Sequence, residues 1–141
     1  MDTTDILSLV SLVRQKANMR ITTALAQQQV KGLAPSHGDI LYALFNNGPL
    51  TMAEIAAKIH RDKSTVTVLV TKLLRQGYVE RRRDGADGRV YVVSLTARGQ
   101  ALKPVFDAIS AELLQTLYHD IPLQDQQTLL AVLLKIEENL S

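Results

Sequence analysis

The sequence predicts a mainly helical α+β fold, on three observations. Most of the chain falls into segments whose apolar residues recur at helical spacing; two short Val-, Tyr- and Arg-rich stretches flank one loop of turn residues; and both ends carry more apolar helix than one core needs. At 141 residues and 46% hydrophobic side chains, the chain is long enough for one globular domain with a core. No stretch approaches the roughly 18 apolar residues of a membrane span, and Met1 to Leu12 lacks the basic start and cleavage site of a secretory signal. The expected location is the cytoplasm, with no membrane partner.

The first helix is predicted from the apolar residues between Ile6 and Leu25, a segment free of Gly and Pro, and it ends before Gly32 and Pro35. Its apolar positions cover more than one face, which suggests burial against a second subunit. A second helix is expected over Ser36 to Asn47, with Ser36 and Asp39 as a capping box and Asn46-Asn47-Gly48-Pro49 as its stop. Thr51 and Glu54 form another capping box, opening a short helix with Ile55, Ala56 and Ile59 inward. After a turn at Arg61-Asp62, Val66, Leu69, Val70, Leu73 and Leu74 make the buried stripe of a fourth helix, with Asp62 as N-cap and Gly77 as stop. Two short helices so joined form a helix-turn-helix, whose second member is the one placed in a DNA groove.

Tyr78 to Arg83 and Arg89 to Leu95, around Asp84-Gly85-Ala86-Asp87-Gly88, predict a two-stranded hairpin. Thr96 then caps one long helix to about Tyr118, kinked at Pro104, and a last helix runs from about Leu123 to Leu140. A hairpin beside a recognition helix is a wing, so the fold class is a winged helix-turn-helix with a two-stranded wing and long terminal helices. The domain division expected is a DNA-binding lobe over 35–96 and a helical dimerisation region formed by 1–34 and 97–141.

The net charge of +2 is unevenly spread: residues 58–89 hold nine Lys/Arg against four Asp/Glu, a net +5, which leaves −3 for the remainder. A basic middle between acidic ends suits a phosphate-binding face on a self-associating scaffold. The chain has no cysteine, which removes disulfides, thiolate metal sites and thiol redox switching. His37, His60 and His119 are too far apart for metal-ligand spacing. No cofactor or metal is expected. The absence of a Ser/His/Asp spacing, a paired-carboxylate spacing or a phosphate loop argues against an enzyme.

The chemistry concentrates on the face of the fourth helix opposite its apolar stripe: Arg61, Ser64, Thr65, Val68, Thr71, Lys72 and Arg75, with Lys63 and Thr67 beside it and no carboxylate. Hydroxyls can approach phosphates or base edges, Val68 can touch a thymine methyl, and Lys72 and Arg75 can neutralise phosphates. The alternative is an ordinary solvated face, for which Thr is a mediocre helix former. On the wing, Arg81, Arg82 and Arg83 alternate across the first strand, and Arg89 stands at the loop base, positioned for a minor groove. Charge that protects an edge strand is the competing use. Asp87 is expected to orient Arg89 rather than meet phosphate itself.

Three segments, LTMAEIAAKI (50–59), STVTVLVTKLLRQGYV (64–79) and DGADGRVYVVSLTARG (84–99), resemble the MarR family of bacterial regulators. The specific part is the D-x-R wing followed by L-T-x-x-G, here Asp87, Arg89, Leu95, Thr96 and Gly99. The resemblance implies a homodimer whose terminal helices pair and whose two lobes read successive major grooves of a pseudo-palindromic site. Lys63, Ser64, Thr65, Thr67, Val68 and Lys72 would then meet the major groove and Arg89 the minor groove. Gly88 and Val68 stand where many members carry Arg, which implies a different operator preference or weaker affinity.

The family commonly senses small phenolic or carboxylate ligands in a cleft between the dimer helices and the DNA-binding lobe. The sequence assigns no ligand residues: Arg14, Arg20 and His37 could lie near such a cleft, but surface or capping roles suit them better. The function expected is a sequence-specific, double-stranded DNA-binding repressor, released when a small aromatic or carboxylate effector alters the spacing of the two recognition helices. The competing readings are a winged helix used for protein contacts, and a constitutive or activating DNA-binding protein.

Overall fold

A computed structural model of the chain describes residues 1–84 and 90–141. It packs as two units, residues 1–109 and 110–141, divided within one helix. In the first unit a 3₁₀ turn at Thr3–Asp5 leads into helix α1 (Ile6–Gln27), followed by α2 (Pro35–Asn47), strand β1 (Leu50–Thr51), α3 (Met52–Ile59), α4 (Lys63–Arg75), β2 (Val79–Asp84), β3 (Val90–Leu95), the short α5 (Ala97–Gln100) and the start of α6 (Lys103–Leu117). The second unit holds the rest of α6 and α7 (Leu123–Leu140). Among the described residues, no helix is long and apolar enough to cross a membrane.

The core of the first unit is built on α2 and α4. Ile40, Leu41 and Leu44 of α2 and Val66, Val70 and Leu73 of α4 are buried, and Leu69 and Leu74 pack at the edge of the same cluster. Each such aliphatic side chain contributes about 1.5–3 kcal/mol when taken fully out of water. The cluster also takes Leu25 from the end of α1, Val30 and Leu33 from the following loop, and Leu102 and Phe106 near the start of α6. Gly38 makes room for Phe106, since a Cβ there would lie 2.9 Å from the ring. The Tyr42 hydroxyl donates to the Phe106 carbonyl at 2.6 Å.

Helix starts follow local chemistry, with two departures from expectation. Thr51 and Glu54 form the reciprocal capping box of α3, and Asp62 accepts from the Thr65 N–H at 2.7 Å to open α4. The cap of α2, however, is not made by Ser36 and Asp39. The helix starts one residue earlier, at Pro35, because proline tolerates a first position where no N–H is needed. His37 then takes the reach-back role: its Nδ1 accepts from the Ala34 N–H at 2.8 Å.

The second departure is at Pro104. In place of one kinked helix from Thr96, the chain forms α5, a turn at 101–102 and a new helix. The proline nitrogen cannot donate to the Gln100 carbonyl, so the break falls just before it and Pro104 lies in the first turn of α6. The sheet also gains a member: β1 pairs with β3 through Leu50↔Val93 and Thr51↔Val92, giving the order β1-β3-β2 with every pair antiparallel. A two-residue strand has too little periodicity to be read from sequence.

The hairpin β2–β3 is tied to the body at its base. Thr96 Oγ1 accepts from the Gly99 N–H at 3.1 Å and donates to the Gly77 carbonyl, while the Thr96 N–H donates to the Tyr78 carbonyl at 3.1 Å. The first turn of α5 therefore sits directly on the Tyr78 peptide, and a Cβ at position 99 would lie 2.0 Å from that carbonyl oxygen. This close approach explains Gly at the end of L-T-x-x-G.

The terminal helices are mostly uncovered. α1 buries only Leu25 and exposes Ile6, Leu7, Leu9, Val10, Leu12 and Val13. In the second unit α7 buries no residue and exposes Leu129, Leu130, Val132, Leu133 and Leu134.

The clash at position 99 predicts that Gly99→Ala lowers stability by about 2 kcal/mol or more, since backbone must move to admit the methyl. A thermal melt unchanged from the parent would show that the junction is loose.

Candidate nucleic-acid interface

The direction of α4 is set by its buried stripe, and the opposite side is open. Lys63, Ser64, Thr67, Val68, Lys72 and Arg75 are exposed, Thr65 and Thr71 are half-buried, and Val68 is 70% exposed. Sequence periodicity placed six of these on the outer face and Lys63 and Thr67 beside it, and none of the eight is buried. Arg61 lies in the preceding turn and is also exposed.

The hydroxyls on this face are engaged locally. Asp62 Oδ1 accepts from the Ser64 hydroxyl at 2.8 Å as well as from the Thr65 N–H. The Thr65 N–H first, then the Ser64 and Thr65 hydroxyls, hold the Asp62 carboxyl below the usual carboxylate range. Thr67 Oγ1 donates to the Lys63 carbonyl at 2.8 Å and Thr71 Oγ1 to the Thr67 carbonyl at 2.7 Å. These bonds direct the Ser64, Thr67 and Thr71 hydroxyl protons back to the protein and leave the hydroxyl oxygens as acceptors. The signal was present in the sequence: Thr inside a helix bonds the carbonyl four residues back, and Asp at an N-cap gathers donors from the next turn.

On the wing, Arg81, Arg82 and Arg83 are all exposed, opposite Val93, Val92 and Tyr91 of β3. They are not equivalent. Arg82 is paired with Glu80 on its own strand. Arg83 Nε donates to the Tyr91 hydroxyl at 2.9 Å, and its guanidinium carbon lies 5.4 Å from that ring's centroid. Tyr91 is thus a positioning residue for Arg83 that sequence reading missed; the cross-strand register would have revealed it. Asp87 and Arg89, with the ion pair expected between them, lie outside the described residues.

α4 and the first turn of α2 border a groove of about 660 Å³ lined by His37, Leu69 and Gln76 together with Thr67, Val68, Thr71, Lys72 and Arg75 of the outer side itself. A Cβ on Gly32 would come within 2.9 Å of the Gln76 side chain, so the loop before α2 closes against α4. Arg14 and Asp39 face each other at 3.9 Å between α1 and α2.

Burial first, and the nearby Lys72 ammonium second, hold the His37 pKa below the ordinary histidine value near 6.5. An Nδ1 that accepts from the Ala34 N–H carries no proton, so the native state holds the imidazole neutral. Because the folded pKa lies below the unfolded one, His37's contribution to stability is complete above about pH 6.5 and is lost as pH falls through the folded value. Denaturant titrations at pH 7.5 and 5.5 should therefore show lower stability at the acid pH. His37→Gln, which can cap Ala34 without titrating, should lose less; an equal loss in both proteins would assign the pH dependence elsewhere.

A model of the MarR family matches residues 31–90, which include α2, α3, α4 and β2. The chain is 33% identical over 102 residues to the uncharacterized HTH-type transcriptional regulator YcgE of Bacillus subtilis, covering 72% of this chain and 66% of that protein. It is 30% identical over 76 residues to the HTH-type transcriptional regulator SarZ of Staphylococcus haemolyticus, covering 54% of this chain and 52% of the relative. These matches span between half and two thirds of the relatives' lengths.

Among solved structures, a MarR protein from Peptoclostridium difficile superposes with a TM-score of 0.86 at 18% identity, over 99% of this chain and 90% of that one. MepR of Staphylococcus aureus, in a DNA-binding conformation, superposes with a TM-score of 0.81 at 25% identity, over 96% and 98% of the two chains. With the helix-turn-helix, the hairpin and the L-T-x-x-G junction all in place, this chain is a winged-helix protein and belongs to the MarR family.

Proposed function

We propose that the protein is a homodimeric repressor that binds double-stranded DNA sequence-specifically in the cytoplasm and is released by a small aromatic or carboxylate effector. The observation that carries the DNA reading is the outer side of α4, which combines Lys63, Lys72 and Arg75 with no carboxylate on the helix itself. Arg81 and Arg83 on the adjacent hairpin extend the basic surface, and Arg89 is assigned the minor groove with Asp87 as its partner. Phosphates bound by these cations would set register, while residues 63–72 meet base edges.

The homodimer is supported by the apolar residues that α1 and α7 each leave exposed, more than a soluble monomer ordinarily presents. Residues 1–34 and 97–141 are assigned to dimerisation, and 35–96 to the DNA-binding lobe. The effector reading rests on the groove beside α4, where Leu69 offers an apolar wall and Lys72 and Arg75 offer charge to a carboxylate. A ligand there would draw on two cations that DNA also needs and would press on the recognition helix. The spacing of two such helices must match about one DNA turn, roughly 34 Å, so a small displacement would be enough for release.

Selection from random duplexes by the purified protein should return an inverted repeat bound by one dimer, with affinity falling steeply as salt rises. In the same titration Lys72→Ala should reduce the salt slope by about one unit per protomer, and Arg89→Ala should weaken binding without lowering the melting temperature. Added benzoate should weaken the complex. A folded dimer that enriches no sequence would overturn the DNA reading, and a complex indifferent to benzoate and related aromatic acids would overturn the effector reading.

A further inference from the structure

We infer, on the reading that α4 enters the major groove, that its central contact surface is a methyl surface which selects half-sites by the C5-methyl groups of thymine. Val68 stands at the middle of the outer face and is 70% exposed. Thr67 and Thr71 share that face, one turn apart on the helix. Their hydroxyl protons are committed to the Lys63 and Thr67 carbonyls at 2.8 and 2.7 Å, and the Ser64 proton to Asp62 at 2.8 Å. A hydroxyl bonded this way keeps only its acceptor capacity for an outside group. Beyond that, Thr67 and Thr71 have only a methyl to present.

The cations stand around this centre. Lys63 and Arg75 are the first and last residues of α4, and Lys72 leans toward the loop before α2, its Nζ 3.6 Å from where a Gly32 Cβ would be. That placement suits the phosphates on either side of the groove. The central strip is therefore apolar and poor in donors. Guanine presents two acceptors in the major groove, N7 and O6, and finds no donor there; thymine presents its methyl to Val68 and the two Thr methyls. An adenine amino group can still donate to the free lone pairs of a Thr hydroxyl. Sequence selectivity at the centre of each half-site follows from methyl contact and from the exclusion of guanine.

The test uses the full-length protein and the duplex returned by selection. Replacing each thymine by deoxyuracil removes only the methyl and leaves base pairing and O4 intact. At thymines facing α4, affinity should fall about threefold to fivefold per methyl, as expected for one apolar carbon taken out of contact. Val68→Ala should lose a similar factor on the thymine duplex and be insensitive to uracil at its own contact. Thr71→Val, which retains a methyl and removes the hydroxyl, should keep the parent's ratio of thymine to uracil affinity, whereas Thr71→Ala should lose the uracil sensitivity at its own contact. Tight, salt-sensitive and sequence-selective binding that ignores uracil throughout, or whose preference for thymine over uracil is lost in Thr71→Val while the fold is intact, would overturn the methyl surface and leave the DNA reading standing. Failure to bind any duplex would overturn both.

Discussion

The burial of Val66, Val70 and Leu73 against α2 is the constraint on which the rest of the molecule depends. Three fully covered aliphatic side chains at i, i+4 and i+7 leave α4 one orientation, because rotating the helix would exchange them for Thr and Lys. Everything the helix can present to a partner is decided by that choice. The outer face, with Val68 at its middle and cations at its ends, is what remains once the stripe has been spent on the core, and the Asp62 cap fixes where the helix begins.

The hairpin is held to this body through a few backbone-level contacts. Thr96 bonds both Gly77 and Gly99, and the missing side chain at 99 lets α5 rest on the Tyr78 carbonyl. A strand pair alone is marginal in water, but here β3 also pairs with β1, and Tyr78, Val79 and Val93 enter the core. The arginines further out are thereby carried on a rigid base. Their differences arise from neighbours across and along the strands: Glu80 takes up Arg82, and Tyr91 props Arg83.

The two ends of the chain obey a different balance. α1 contributes Leu25 to the core and leaves most of its apolar residues in water, and α7 does so along its whole length. Exposed leucines on that scale are costly for a helix that stays alone, at about 25 cal/mol per Å² of apolar surface. The excess of apolar positions was already visible in the helical periodicity of both segments.

The sequence by itself determined the elements and their faces. Periodicities of 3.6 and 2, the Thr51–Glu54 and Asp62 caps, and the Gly77 stop are local properties, so the helix-turn-helix and the hairpin were legible before any packing was known, as was the list of residues on the outer side of α4. Only the tertiary structure decided what required a distant neighbour or competition between neighbours. The cap at α2 passed from the Ser36–Asp39 pair to Ala34 and His37 because Pro35 claimed the first helical position, and the helix after Thr96 broke at Pro104 where a bend was expected. β1 exists only because β3 is there to receive it. Above all, spacing tells which hydroxyls face outward but not where their protons go, since that depends on which carbonyl or carboxylate lies within about 3 Å, a distance that no pattern of residues states.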